Sequence, residues 1–386
     1  MLDIDNLNRQ YSMLVYSSKA QCLNQFNSIQ SDRYQVTNNI DEAFDYSGKK
    51  AGIFEMDWMR DNVDDPRLND FSQIIVVATE LWYNDQSGRP DMIGNLHNFI
   101  AAHPNWHFFA PGYYKDLSNH YFYPHWFGVA WYYQNALANE LDLLETGTKP
   151  KLFDCLLGTY KPHRSYLYYR LQELGLNNYV ICSYGRGGKT ITSEEPKFVR
   201  DLYNIYGDPN STMWVGTNHG VYNHSTASID TDPDHASTSS SSTTVYKGIK
   251  LPISCVIPTD IYNQTAYTIV TETMYNCNFY TEKIVKPILA KRLFVVFGAA
   301  GYLEGLRTLG FKTFGDIIDE SYDLESDDQT RWDMAIDQIK KLAAMNQDAV
   351  FDAVQQRVEY NQKLILDTNW QGDSVKRMQD IIASVN

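Results

Sequence analysis

The chain has 386 residues, 43% hydrophobic and 21% charged, with 33 Lys and Arg against 47 Asp and Glu for a net charge of −14. That length favours two domains over a single core, and that charge argues against a general nucleic-acid binder, which must neutralise many phosphates. The longest apolar runs, Ile74–Ala78 and Leu293–Ala300, are too short to cross a bilayer, the opening MLDIDNLNRQ lacks the basic and apolar pattern of a signal peptide, and the five scattered cysteines form no CxxC, as in a reduced, cytoplasmic protein.

In chain order, Tyr11–Tyr16 predicts a strand and Leu23–Asp32 a short helix. Ser72–Tyr83 predicts the strongest strand of the first half, with Ile74, Ile75, Val76 and Val77 at its core. Asp91–Ala102 has helical spacing, and Trp106–Phe109 reads as the next strand. Strands alternating with helices predict a parallel sheet in an α/β domain. The aromatic stretch Tyr113–Tyr133 reads mainly as core, with a few rings near Trp126 available to shape an acceptor pocket. Glu145–Lys151 (ETGTKPK) has linker composition, which sets a first domain at 1–148 and a second at 149–370.

The pattern then restarts. Leu152–Leu157 reads as a strand, His163–Leu176 as a helix stopping at Gly175, and Tyr179–Ser183 as a strand, the opening of a second Rossmann-like domain. Ser225–Thr244 carries most of a Ser/Thr run without core residues and reads as a surface excursion. Ala266–Thr271 and Arg292–Phe297 read as strands. Glu282–Ala290, Gly301–Gly310, Trp332–Met345, Ala349–Leu364 and Val375–Val385 read as helices.

Two stretches carry candidate chemistry. In the first, Glu272 ends a strand, Thr281 is placed as an N-cap, and Glu282 and Lys283 open a helix with Lys286 one turn on. A helix N-terminus with added positive charge attracts an anion, and neighbouring carboxylates suit sugar hydroxyls. Together they describe a sugar-diphosphate site; the plainer reading is a capped surface helix with a Glu-Lys pair. In the second, Arg164 opens the helix after the strand Leu152–Leu157, at the strand-end edge where open α/β sheets bind ligands. A guanidinium matches a phosphate with two parallel hydrogen bonds, although an exposed Arg on a first turn is equally ordinary.

The segment Glu272–Ile284 resembles the donor-site motif of the α-1,3-fucosyltransferase-type glycosyltransferases. Glu272 and Glu282 stand ten residues apart, and Thr281-Glu282-Lys283-Ile284 matches the second part of that motif. Arg164 matches the family's arginine, and the resemblance spans Leu152–Phe314. Thr273-Met274 and Asn278-Phe279 depart from it at positions near the nucleotide and sugar. The resemblance implies a GT-B fold, α/β with two Rossmann-like domains facing across a cleft, and a final helix at 371–386 crossing back to the first. It implies an inverting transfer from a nucleotide-diphosphate sugar, as in phage and bacterial relatives. Arg164 and Lys283 would stabilise the leaving diphosphate without a metal or other cofactor. Glu282 would hold the ribose and Glu272 the sugar, with Phe279, Thr281 and Lys286 completing the donor site.

An inverting transfer needs a base for the acceptor hydroxyl. Glu80, after the strongest N-terminal strand, is the first candidate, Asp57 the next, with Glu55 and Asp85 as rivals. SYGRGGKT places Ser183 where a P-loop needs its first Gly. Asp230-Thr231-Asp232 lies in the Ser/Thr stretch, and His103 and His107 are separated by Pro104, so no metal site is assigned. The acceptor is a glycan, protein or small molecule, with modified DNA placed last by the net charge. The alternative function is a non-catalytic sugar- or nucleotide-binding protein on the same fold.

Overall fold

The computed structural model describes residues 13–17, 34–78, 96–112, 117–158, 161–176, 180–184, 197, 214–215, 243–246, 249–252, 255–275 and 277–384, and structural statements refer to these. The chain forms two compact units, one of residues 1–125 with 369–386 and one of residues 126–368.

The first unit is built on six parallel strands, β1 (Met13–Ser17), β2 (Tyr34–Thr37), β3 (Lys50–Glu55), β4 (Gln73–Val77), β5 (Trp106–Ala110) and β6 (His120–Phe122), in the order β2-β1-β3-β4-β5-β6. Helices α1 (Ile40–Asp45), α2 (Met56–Asn62) and α3 (Leu96–Ala102) connect them. Asn39 caps α1 by accepting from the amides of Asp41 and Glu42. β3 and β4 are buried along nearly their whole length, as parallel strands covered on both faces must be. Strand order reverses at β1, so the ends of β1 and β3 flank the switch point of this sheet.

The second unit opens with α4 (Val129–Asn135) and α5 (Ala138–Leu141). β7 (Lys151–Gly158), α6 (Pro162–Glu173), β8 (Val180–Tyr184) and β9 (Trp214–Val215) follow. β10 (Thr243–Tyr246) and β11 (Ile249–Pro252) form a separate antiparallel pair. Then come α7 (Thr259–Tyr262), β12 (Thr265–Thr271), α8 (Glu282–Leu289), β13 (Phe294–Phe297), α9 (Tyr302–Thr308), α10 (Asp328–Ala343) and α11 (Gln347–Asp367). The main sheet runs β13-β12-β7-β8-β9, parallel except for β9. The chain leaves β7 for β8 on one side and later adds β12 on the other. The crevice between the ends of β7 and β12 is therefore a topological switch point, where doubly wound sheets take ligands.

The last helix, α12 (Trp370–Ala383), belongs to the first unit. Its Met378, Ile381 and Ile382 pack on Ala51, Ile53, Ile75, Val77 and Phe109. The fold is thus α/β with two Rossmann-like units, the components of the GT-B architecture.

The division falls after His125, not at the linker-like Glu145–Lys151. Residues 126–148 are held by the second unit. The Tyr133 hydroxyl accepts from Ile257 N (2.6 Å) and donates to Cys255 O (3.2 Å). Asn263 bridges Leu143 O and Glu145 N, and Gln347 pairs with both backbone groups of Lys149. Gly147, at φ +94°, makes the turn that composition alone reads as a linker. The expected helix Leu23–Asp32 and residues 225–242 of the expected surface excursion lie outside the described residues; Thr243 and Thr244 begin β10.

Candidate functional site

The switch point of the second sheet is assembled from three short segments. β12 (TAYTIVT) is buried at every position, and its ladder continues one step as Glu272 N donates to Phe297 O. α6 begins with Pro162 in its first turn, where a missing N–H costs nothing. α8 begins at Glu282, its N-cap Thr281 accepting from Lys283 N.

Glu272 joins these segments. Its carbonyl accepts from His163 Nε2 (2.8 Å) and Arg164 Nη2 (3.0 Å), both on the first turn of α6. Arg164 Nη2 also donates to Thr271 O (3.1 Å). The Glu272 carboxylate accepts four hydrogen bonds. Oε1 takes Thr281 N (3.1 Å) and Tyr302 Oη (2.7 Å). Oε2 takes Thr281 Oγ1 (2.7 Å) and Thr273 N (3.2 Å). Lys283 Nζ then donates to Thr273 Oγ1, Thr281 Oγ1 and Glu282 Oε1. Arg164, Glu272, Thr281, Glu282 and Lys283 therefore form one connected network.

Their exposures separate their possible roles. Glu272 is 0% and Arg164 2% exposed, whereas the Lys283 side chain is 22% exposed. Glu272 thus organises the loop from within, both carboxylate oxygens being engaged by Thr273, Thr281 and Tyr302. Arg164 sits beneath the crevice as an anchor and a fixed positive charge. Lys283 is the ammonium that reaches the surface. Burial pushes the Glu272 carboxyl above its ordinary range, against the pull of Lys283 and the hydroxyl donors. Burial also works to raise Glu282, but the Lys283 and Lys286 ammoniums outweigh it and hold this carboxyl low. Lys286 is buried and its ammonium shifted down by desolvation, partly offset by Glu282. Phe279 is buried, and neighbouring Tyr280 stacks edge-on against Tyr302 at 4.6 Å.

Sequence reasoning overlooked several residues that fix this edge. Tyr302 reaches Glu272 from α9, whose N-cap Gly301 adopts φ +76° and donates to Asp323 O. The Asp323 carboxylate accepts from Leu303 N and Glu304 N, satisfying the start of α9. Buried Arg331 ties Gly298 O, after β13, to Tyr275 O and Glu325 O. His163 was passed over beside its charged neighbour. Local sequence marks none of these roles, because nearly every partner lies far along the chain, Glu325 being the near exception.

In the first unit, β3 ends at Glu55, and Asp57 lies on the first turn of α2, its side chain outside the described part. Glu80 and Asp85 also lie outside the described residues, as do Asp230 and Asp232. A cavity of about 420 Å³ opens at the opposite end of the second sheet, lined by Lys149, Thr265, Arg292, Phe351 and Val358 among others. It contains none of the nominated residues and lies at the strand starts, so the strand-end crevice is the better candidate by topology. No group of three His, Cys, Asp or Glu among the described residues could hold a metal ion. No described helix is long and apolar enough to cross a membrane.

No family model matches the sequence, and no curated protein matches it. Among solved structures, the chain is similar to an α1,3-fucosyltransferase at 7% identity and TM-score 0.40, covering 93% of this chain and 91% of the other. An α1,3-fucosyltransferase structure with GDP-fucose gives 12% identity and TM-score 0.31, covering 92% and 90%. One with GDP gives 14% identity and TM-score 0.30, covering 93% and 91%.

Proposed function

We propose that the chain is a nucleotide-sugar-dependent glycosyltransferase whose second unit takes the donor at the β7/β12 switch point. One observation carries this reading: the N-termini of α6 and α8 meet there through Glu272, with the Arg164 and Lys283 charges in the same network. Two helix starts and two cations form a site for a diphosphate. When the bond from sugar to phosphate breaks, negative charge grows on the leaving diphosphate, and fixed positive groups stabilise that state more than the ground state. Lys283 makes the direct contact, Arg164 supplies charge from below, and Glu282 takes a ribose hydroxyl. The transfer inverts and needs no metal. Glu80 or Asp57 removes the acceptor's proton. The acceptor is a glycan, protein or small molecule; net charge −14 counts against DNA. The buried Cys155, Cys255 and Cys277 fit a cytoplasmic enzyme.

The test is release of GDP or UDP from nucleotide sugars incubated with candidate acceptors, in EDTA. Turnover that requires added Mg or Mn overturns the metal-free mechanism. The alternative, a non-catalytic sugar- or nucleotide-binding protein, draws support from the inward-facing Glu272 and Arg164. It requires stabilisation by a nucleotide diphosphate without any release from donors. Ligand at a hundred times its Kd stabilises by about 2.7 kcal/mol, which a thermal shift detects.

A further inference from the structure

We infer that His163 is a positioning residue that sets the place of Lys283, acting through Glu272. Its role at the site rests on the donor reading above, but its structural effect does not. The imidazole is fully buried and donates from Nε2 to Glu272 O at 2.8 Å. A carbonyl only accepts, so Nε2 carries the proton. Burial, with Arg164, Lys161 and Arg331 nearby, holds the imidazole far below its ordinary value and keeps it neutral. Nδ1 is then an acceptor, and it is buried without a hydrogen-bond partner. The ring packs against Tyr275 (centroids 5.4 Å) and Trp332 (6.1 Å), which also touch each other (5.5 Å). An apolar residue would fill that space without the unpartnered nitrogen. What the imidazole adds is one directed N–H.

That N–H fixes the peptide after Glu272 at the point where the chain leaves β12. From the same residue, the carboxylate fixes Thr281, and Thr281 Oγ1 receives both Lys283 N and Lys283 Nζ. Three linked contacts therefore run from α6 to the surface ammonium. Arg164 Nη2 donates to the same carbonyl, so removing His163 leaves that oxygen with one donor of two.

The experiment compares His163→Gln, whose amide can supply an N–H at similar reach, with His163→Leu, which fills the space without one. Two readouts are taken on the full chain: hydrogen exchange of residues 272–284, and affinity for GDP and UDP. The expected result is about 3- to 10-fold faster exchange and equally weakened nucleotide binding in His163→Leu, with both near wild type in His163→Gln. Equal exchange in wild type and His163→Leu overturns the inference, as does equal damage in both variants. If His163→Leu does not fold, wild-type exchange and binding in His163→Gln support the inference and their loss overturns it. If no protein binds either nucleotide, the donor reading fails separately, and hydrogen exchange alone decides the positioning role.

Discussion

Replacing Glu272 by Gln distinguishes an internal organiser from a sugar ligand. The carboxylate serves two backbone amides, Thr273 N and Thr281 N, on different oxygens. It also serves two hydroxyls, of which Tyr302 Oη can rotate and accept instead, whereas Thr281 Oγ1 already accepts from Lys283 N and Nζ. A carboxamide has one oxygen. In either orientation one amide N–H faces its NH₂ group and stays buried without a partner, at a cost of about 1–3 kcal/mol. Burial already penalises the Glu272 charge, and losing that penalty offsets part of the damage. The net expectation is about 1–2 kcal/mol, a factor of about 5–30 in the local opening equilibrium. Native-state hydrogen exchange over residues 272–284 measures it, and donor affinity falls in parallel. Unchanged protection with a raised donor KM would refute the argument, because Glu272 would then touch the sugar directly.

Lys283→Ala removes a charge-assisted contact worth about 1.5–3 kcal/mol, so kcat/KM falls about 10- to 150-fold with little change in Tm; wild-type kcat/KM excludes the assigned contact. Glu80→Gln keeps nucleotide binding and loses about 10²–10⁴-fold in turnover if Glu80 is the base. Near-normal turnover there moves the role to Asp57, and Asp57→Asn is then the variant that stops transfer. His120 gives a pH test, because burial depresses its imidazole from 6.5 to about 4. The unfolded chain therefore takes up the proton first. Stability is full above about pH 6.5 and falls as pH drops toward 4, by about 3 kcal/mol in total. An unchanged acid slope in His120→Gln, followed by urea unfolding across that range, contradicts the assignment.

Much of the second unit was legible because its signals are local. The apolar run at Ala266–Thr271 becomes β12, and Thr281-Glu282-Lys283 becomes a capped helix start. The direction in which a strand-end charge turns is not local. Glu272 points inward because Tyr302, on α9, and Thr281 meet it, and Arg164 is occupied by carbonyls more than a hundred residues away. β3 (KAGIFE) gave a weak signal for another reason: Ala51 and Gly52 interrupt the β-branched pattern that made β4 obvious. The division between units was misplaced because a Gly-Pro turn inside a unit has the same composition as a linker.

The placement of α12 has a consequence for biosynthesis. Ser374 lies against Phe122 O, 252 residues earlier in the chain. At about 5–20 residues per second, the ribosome takes roughly 13–50 s to make the intervening segment. Throughout that interval Ile53, Ile75, Val77 and Phe109 lack the cover that Met378, Ile381 and Ile382 later supply. The first-made sheet is thus among the last parts to be finished, and its uncovered face is where a nascent-chain chaperone or an aggregating neighbour would bind.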